Sequence, residues 1–155
     1  MRIYKSGTEW CFWRHSEIDA GYIQRLHIVK TPWFAVCLHK IVNPDPEPCL
    51  HDHPVTFLSI ILRGMYRELR QGPGRQFPTL VARRWFNFIT ASPDDRHKIV
   101  CVPAPTWTLA FMGPKTRDWG FHTDKGWVYW KDFNAKYKRD SLPEVFTGAD
   151  HGGES

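Results

Sequence analysis

Two histidines separated by one aspartate stand at the start of an apolar run in the segment LHDHPVTFLSIILRG. Because alternate side chains of a strand share a face, His51 and His53 are predicted to face one side while Asp52 points away. Buried imidazoles need a hydrogen bond or a metal ion to offset the cost of burial. Two histidines alone make a weak metal site, and the best third ligand is His97, which opens the segment HKIVCV. The spacing predicts a three-histidine metal site; the alternative is a loop cap without chemistry.

Imidazole also transfers protons, since its unperturbed pKa is about 6.5. Paired histidines can therefore act as general base and general acid in phosphoester chemistry on a cyclic or linear nucleotide, with or without a metal. Arg67, Lys115 or Arg117 would then stabilise the charge that develops on phosphate. His122 is a fourth candidate catalytic histidine, beside His51, His53 and His97.

A second dense cluster lies in the segment GPKTRDWGFH. It places basic or titratable side chains beside aromatic ones: Lys115, Arg117, His122, Trp119 and Phe121. Aromatic faces next to cations suit a nucleobase or a sugar phosphate, so these residues are predicted to bind substrate. The alternative is a tryptophan-rich loop that packs against the sheet and leaves its charges in water.

Arginines are frequent on the predicted strands, and most are expected to face solvent. They are Arg25, Arg63, Arg67, Arg83, Arg84 and Arg117. Arg67 and Glu68 are adjacent, so they face opposite sides of their strand. An inward arginine there would suit a carboxylate or phosphate, which it can bind through two hydrogen bonds.

Short segments rich in β-branched and aromatic residues must position these side chains. They cover residues 22–29, 33–42, 55–62, 65–69, 80–88 and 106–112, and proline, glycine or aspartate separates them. Twelve prolines leave little room for long helices, so short ones are expected only around 16–20 and 131–138. Regularly spaced short strands predict an all-β sandwich or small barrel.

The composition is that of a packed domain. Of 155 residues, 42% are hydrophobic and 15% aromatic, which predicts a single domain over residues 1–147 and a flexible tail over 148–155. The net charge of +5 is mild and scattered, favouring a small anionic ligand over a long nucleic acid. Four cysteines without a CxxC pair, no signal peptide and no membrane-length apolar run predict a cytoplasmic protein with reduced thiols and no membrane partner.

The HxH pair, the apolar strand, the glycine turn and the later histidine in RHKIV resemble the cupin superfamily, whose fold is a double-stranded β-helix or jelly-roll barrel. HDHP, GPK with RDWGFH, and GWVYW look more closely like a family of small, largely uncharacterised cupin-like proteins of bacteria and their phages. The resemblance covers roughly residues 22–131. It implies an all-β cupin-type barrel with a few short peripheral helices.

By that resemblance, His51, His53 and His97 fall at the three cupin histidine positions. Cupins usually have a fourth ligand, a glutamate, three or four residues after the second histidine, but Phe57 and Leu58 stand there. The proline and glycine that usually lead to the third histidine are replaced by SPDDRH. A three-histidine site without glutamate, as in thiol dioxygenases, and a site that has lost its metal both fit this pattern.

Three functions follow as hypotheses. The first is an enzyme with iron, zinc or manganese held by the three histidines, an oxygenase or hydrolase acting on a small anionic substrate. The second is a nucleotide phosphodiesterase, and the third a non-catalytic module that binds a nucleotide or sugar. Cupins often dimerise through edge strands, so a homodimer is expected.

Overall fold

The computed structural model describes residues 11–18 and 21–140, with side chains described from 21 to 136. The predicted tail, residues 148–155, lies outside this part. The elements in chain order are β1 (Cys11–Ile18), β2 (Ile23–Lys30), β3 (Ala35–Ile41), β4 (Leu50–His51), β5 (Phe57–Arg63), β6 (Tyr66–Gln71), β7 (Thr79–Arg83), β8 (Phe86–Ile89), β9 (Arg96–Cys101), β10 (Thr106–Met112), β11 (Gly120–Thr123), β12 (Gly126–Tyr129) and α1 (Trp130–Asp140).

Among the described residues the strands form two six-stranded antiparallel sheets. The first has the order β1-β2-β3-β10-β5-β8 and the second β12-β11-β4-β9-β6-β7. Strands that are distant in sequence, such as β3 and β10 or β4 and β9, are neighbours in the sheets. The apolar core joins residues of both sheets: Ile23, Ile41 and Ile61 from the first, Tyr66 and Ile99 from the second. The predicted all-β jelly-roll barrel is confirmed.

Several element predictions were wrong in detail. The segment 80–88 is two strands, β7 and β8, which belong to different sheets because the chain turns at residues 84–85. Residues 16–18, expected in a helix, pair with β2 as part of β1, and residues 19–20 lie outside the described part. The hairpin of β11 and β12 was not predicted. The helix expected at 131–138 is present as α1 and packs on β11 through stacked rings of Phe133 and Phe121, 4.1 Å apart.

The glycine turn after β5 is sterically required. Gly64 has φ of +88°, and a Cβ on it would lie 2.7 Å from Thr106 Oγ1 and 3.0 Å from Thr106 Cα. Only glycine combines this backbone conformation with such a close approach. The turn therefore brings β6 directly beside the start of β10.

The interior of the barrel is unusually polar. Among the described residues, nine hydrophobic side chains are buried against fourteen polar or charged ones. On β10 the alternate residues Thr106, Thr108 and Ala110 are fully buried. Since buried polar groups must be hydrogen-bonded or face a ligand, this interior is suited to a site. In the described part of the chain no helix has the length and apolarity needed to cross a bilayer.

Candidate metal centre and substrate cavity

Three histidines meet at one end of the barrel interior. His51 ends β4, His53 follows it, and His97 lies opposite His51 in the register of β4 and β9. The ring centroids are 5.0 Å apart for His51 and His53, 4.8 Å for His51 and His97, and 5.0 Å for His53 and His97. One nitrogen from each ring lies within 4.8 Å of the other two. Metal–nitrogen bonds are about 2.0–2.1 Å, so a single ion between them needs only small side-chain adjustments.

Asp52 explains why both neighbouring imidazoles point inward. Its carboxylate is fully buried and accepts hydrogen bonds from Gly120 N at 3.0 Å, His122 Nε2 at 3.0 Å and Trp127 Nε1 at 2.9 Å. Arg117 Nη1 lies 3.0 Å from Asp52 Oδ1. These bonds hold Asp52 against the β11–β12 hairpin, and strand alternation then turns the side chains before and after it toward the cavity.

Glu68 supports the third histidine. Its Oε2 accepts a hydrogen bond from His97 Nδ1 at 2.7 Å, and its Oε1 lies 2.6 Å from Arg83 Nη2. Asn87 Nδ2 donates to Oε2 at 2.9 Å. Burial alone would raise the pKa of Glu68, but hydrogen bonds and charges from His97 and Arg83 outweigh it and lower the pKa to about 2. Glu68 is therefore a carboxylate that keeps a proton on His97 Nδ1.

Hydrogen bonds and burial characterise the three imidazoles. His97 Nδ1 donates to Glu68, and His97 Nε2 lies 2.8 Å from His53 Nε2. Burial, reinforced by the charges of neighbouring histidines, lowers the pKa of His51 and of His53 well below the usual value. His51 Nδ1 is buried without a hydrogen-bond partner, 3.9 Å from Asp45 Oδ2. Neutral imidazoles with an available lone pair are the form that binds metals, so the residues present fit a divalent ion.

The positions of the missing glutamate are apolar in the structure as in the sequence. Phe57 packs edge-on against the His53 ring, with centroids 5.0 Å apart. Leu58 pairs with Phe88 and Phe111 on the neighbouring strands. No fourth protein ligand comes from this strand, so an ion held by the three histidines would keep open positions for water or substrate.

An inner cavity of about 100 Å³ lies beside the histidines. Its lining includes polar side chains from both sheets: Arg25, His39, Asp45, Tyr66, Asn87 and Thr108. Most of the strand arginines were expected to face solvent, and Arg25 is an exception because it lines this cavity. Its Nε donates to His39 Nε2 at 2.9 Å, and among the ion pairs of the described residues none involves Arg25. Burial lowers the pKa of Arg25, as expected for a desolvated cation without a carboxylate.

Two larger spaces share lining residues with the inner cavity. The aromatic lobe, about 440 Å³, is walled by Tyr22, Trp119, Phe121 and Trp130. The basic lobe, about 470 Å³, is lined by Arg25, His27, Lys30 and Lys115 among apolar residues. Arg25 and Met112 line all three spaces. Arg25 is therefore a wall shared by the inner cavity and both lobes.

The predicted substrate-binding residues are spread over different places. Trp119 and Phe121 lie in the aromatic lobe, with ring centroids 6.1 Å and 5.9 Å from His51. Lys115 stands at the edge of the basic lobe and is paired with exposed Asp118 at 2.6 Å. Arg117 is bound to Asp52 instead of facing the cavity.

Two predicted site residues lie away from the histidine cluster. Arg67 is exposed on β6, because alternation turns its neighbour Glu68 inward. His122 sits on the other side of β11 from Phe121 and is held between Asp52 and Arg96. The structure gives neither of them access to the inner cavity.

Sequence reasoning missed Arg25 for a physical reason. On β2 the alternate positions Leu26 and Ile28 are more apolar than Arg25 and His27. Hydrophobicity alone therefore favours an interior position for Leu26 and Ile28 and an exposed one for Arg25 and His27. The available signal was the polar character of the facing strand, where His39 pairs with Arg25 in register.

The low pKa of His39 predicts that the folded protein loses stability in acid. Burial, with the Arg25 and His27 charges, lowers the pKa of His39 from 6.5 to about 3. In the unfolded chain His39 is protonated below about pH 6.5, whereas in the folded protein it stays neutral down to about pH 3. The free energy of unfolding therefore falls as the pH drops through this window. Between pH 7 and 5 the loss from His39 is about 2 kcal/mol. Urea unfolding at both pH values should therefore show that His39→Gln loses less unfolding free energy than wild type, by about this amount. Identical losses in the variant and in wild type would contradict the low pKa of His39.

Comparison with solved structures identifies the fold. A RmlC-like cupin from Shewanella frigidimarina is 11% identical, with 72% of this chain and 96% of that chain covered and a TM-score of 0.50. Rru_A2000 from Rhodospirillum rubrum, a cupin-2 domain, is 10% identical over 81% of this chain and 82% of that chain, at 0.50. AerE from Microcystis aeruginosa is 10% identical over 69% and 48%, also at 0.50.

No family model and no curated protein sequence matches this chain. At 10–11% identity the structural likenesses show the fold alone. The first two of these neighbours are cupins, and the barrel described above has their architecture.

Proposed function

We propose that this cupin-fold chain is a metal-dependent enzyme that binds one divalent ion through His51, His53 and His97 and acts on a small anionic molecule. The observation that carries the proposal is the meeting of three imidazoles, those of His51 and His97 buried and that of His53 half-buried. One nitrogen of each lies within 4.8 Å of the others, beside a cavity that Arg25 also lines. Iron, zinc and manganese are the candidate ions, since imidazole ligands with open positions suit each of them.

The bound ion would supply a Lewis acid with open positions for water, dioxygen or a substrate oxygen. The chain's own residues do the rest. Glu68 holds the proton on His97 Nδ1 and so directs the Nε2 lone pair to the cavity. Arg25 offers a desolvated guanidinium to a carboxylate or phosphate. Phe57 covers one side of His53 and excludes water from it.

Metal content tests the proposal directly. Protein purified without a metal-affinity tag, then analysed by mass spectrometry for transition metals, is expected to hold about one equivalent. His51→Ala should fall below about a tenth of an equivalent, because two imidazoles make a weak site. His122→Gln is the matched control, a histidine removed outside the cluster, and should keep its metal. A metal content below a tenth of an equivalent in wild type, unchanged by His51→Ala, would contradict the proposal that the protein is a metalloenzyme.

A specific observation favours a second candidate, nucleotide phosphodiesterase chemistry without a metal. Glu68, His97 and His53 form a continuous hydrogen-bonded chain through contacts of 2.7 Å and 2.8 Å, which can relay a proton from the cavity. Cleavage of cyclic or linear nucleotides that persists in chelator and vanishes in His53→Ala would support this candidate. Nucleotide or sugar binding without turnover would instead leave a binding module.

An exposed apolar face supports a homodimer. Ile60, Leu62, Phe86, Phe88 and Phe111 stand side by side on β5, β8 and β10, each between 38% and 60% exposed. β8 is the last strand of its sheet in the described part of the chain, so two copies could pair there antiparallel. Sedimentation velocity should give a dimer that the double substitution of Phe86 and Phe88 by glutamate converts to monomer. Phe77→Glu, exposed elsewhere, should leave the dimer intact; a monomeric wild type would contradict this prediction.

A further inference from the structure

The inner cavity is too small for a whole substrate. Its volume of about 100 Å³ is well below the roughly 300–1,000 Å³ of ordinary ligand pockets. Two polar atoms that line it have no hydrogen-bond partner, His51 Nδ1 and Thr108 Oγ1. A small polar group therefore suits this space, and the rest of the molecule must lie in the two lobes, whose sizes are those of ordinary ligand pockets.

The aromatic lobe is built to hold a flat ring. Trp119 and Trp130 are stacked, with centroids 5.6 Å apart and planes 8° from parallel. Trp119 also contacts Phe121 at 5.5 Å, and Phe121 is stacked on Phe133. These rings support one another, so their positions are set before a ligand binds. A planar ring gains stacking energy on such a surface whatever its hydrogen-bonding pattern.

The basic lobe has the opposite character. Four of its lining residues are cationic or titratable bases, Arg25, His27, Lys30 and Lys115, and none of the described side chains that line it is acidic. Asp118 offsets only Lys115, at the edge. The potential in this lobe is positive and attracts an anion.

Arg25 joins the two lobes. It lines both of them and the inner cavity, and its only hydrogen bond among those of the described residues is the one that Nε donates to His39. The two terminal nitrogens of its guanidinium are thus available for a bidentate contact to a carboxylate or phosphate. An anion bound there lies between the aromatic and the basic lobe and next to the histidines.

We propose that the substrate is a planar aromatic or heterocyclic molecule carrying a phosphate or carboxylate group. Its ring lies in the aromatic lobe, its anion is held by Arg25 and the basic lobe, and its reacting group enters the inner cavity. This rests on the proposed function in that it names the substrate class of the same site.

Binding to matched probes tests this assignment by calorimetry. The phosphate set is adenosine 5′-monophosphate, adenosine without the anion and ribose 5-phosphate without the ring. The carboxylate set is indole-3-acetate, indole-3-acetamide and acetate. In at least one set the ring-bearing anion should bind at least about tenfold more tightly than both of its counterparts, since stacking and a charged hydrogen bond each contribute that much. Binding by neither anion below about 1 mM, or equal binding by a counterpart, would overturn the proposal.

Two substitutions assign the contributions. Trp119→Ala should weaken the ring-bearing anion about tenfold and leave the ring-free anion unchanged. Arg25→Gln should weaken both anions about tenfold, and Arg25→Lys should recover part of the loss. Trp119→Ala carries the test alone where the Arg25 variants do not fold, as judged by circular dichroism. Unchanged affinity of the ring-bearing anion in Trp119→Ala would overturn the ring assignment.

Metal analysis of the same preparations separates this inference from the proposed function. If the protein binds ring-bearing anions but holds no metal, the metalloenzyme proposal is contradicted and the proposed substrate class is supported. If the protein holds one metal equivalent but binds none of the probes, the metal site is supported and the proposed substrate class is contradicted.

Discussion

An Asp52→Ala variant is expected to lose about 3–5 kcal/mol of unfolding free energy, a large part of the total stability of a domain this size. The reason is that one buried carboxylate satisfies several donors at once. The buried Gly120 N would be left without an acceptor, the half-exposed Trp127 would lose its hydrogen bond, and Arg117 would lose its counter-ion. Each unsatisfied buried donor costs about 1–3 kcal/mol, and an unpaired charge costs more. Urea unfolding followed by tryptophan fluorescence measures the loss.

Asp118→Ala is the matched control for this prediction. Asp118 also pairs with a cation, Lys115, but both side chains are more than half exposed, 58% and 63%. Exposed pairs of this kind contribute little to stability because solvent screens them, so the control should unfold almost like wild type. Asp52→Asn keeps one acceptor and should fall between the two. Equal stabilities of Asp52→Ala and Asp118→Ala would mean that the hairpin is held by something other than this carboxylate.

Glu68→Gln should reduce metal affinity about 10- to 100-fold while the three histidines stay in place. The carboxylate now fixes the proton on His97 Nδ1 and raises the basicity of the opposite nitrogen. Glutamine has the same shape but no charge, and its amide group must turn a donor toward either His97 or Arg83, both of which already donate. Competition with a chromogenic chelator measures the affinity for zinc or manganese.

A second variant separates metal tuning from general damage to the site. Arg83→Met removes the cation on Oε1 of Glu68 and leaves the contact between Oε2 and His97. It should lower stability, since the buried carboxylate loses a counter-ion, yet change metal affinity less than Glu68→Gln. The reverse order of the two metal affinities would show that Glu68 acts through Arg83 and not through His97.

The sequence was sufficient for the architecture because the strand signals are strong and local. Residues 106–112 were predicted as a strand and form β10 with the same bounds. Errors arose where neighbouring strands join different sheets, as at residues 80–88, because β-propensity does not say which partner a strand will find. β4 could not be predicted as an element, since it has only two residues and exists through pairing with β9 and β11.

The site was predictable in its histidines but not in its cations. Strand alternation was enough to expect His51 and His53 on one face, and His97, predicted as the third ligand, lies beside them on the neighbouring strand β9. Which of Arg67 and Glu68 turns inward depends on the tertiary partners His97, Arg83 and Asn87, and no local pattern carries that information. The buried cation is instead Arg25, on a strand whose polar face looks like an exposed one.

The excess of polar over hydrophobic side chains in the interior has a thermodynamic consequence. Unfolding exposes apolar surface, which raises the heat capacity, and polar surface, which lowers it. A barrel that buries fourteen polar and nine hydrophobic side chains in its described part gains less heat capacity on unfolding than an apolar core of the same length. Its stability curve is therefore expected to be flatter in temperature than that of an apolar core of the same length.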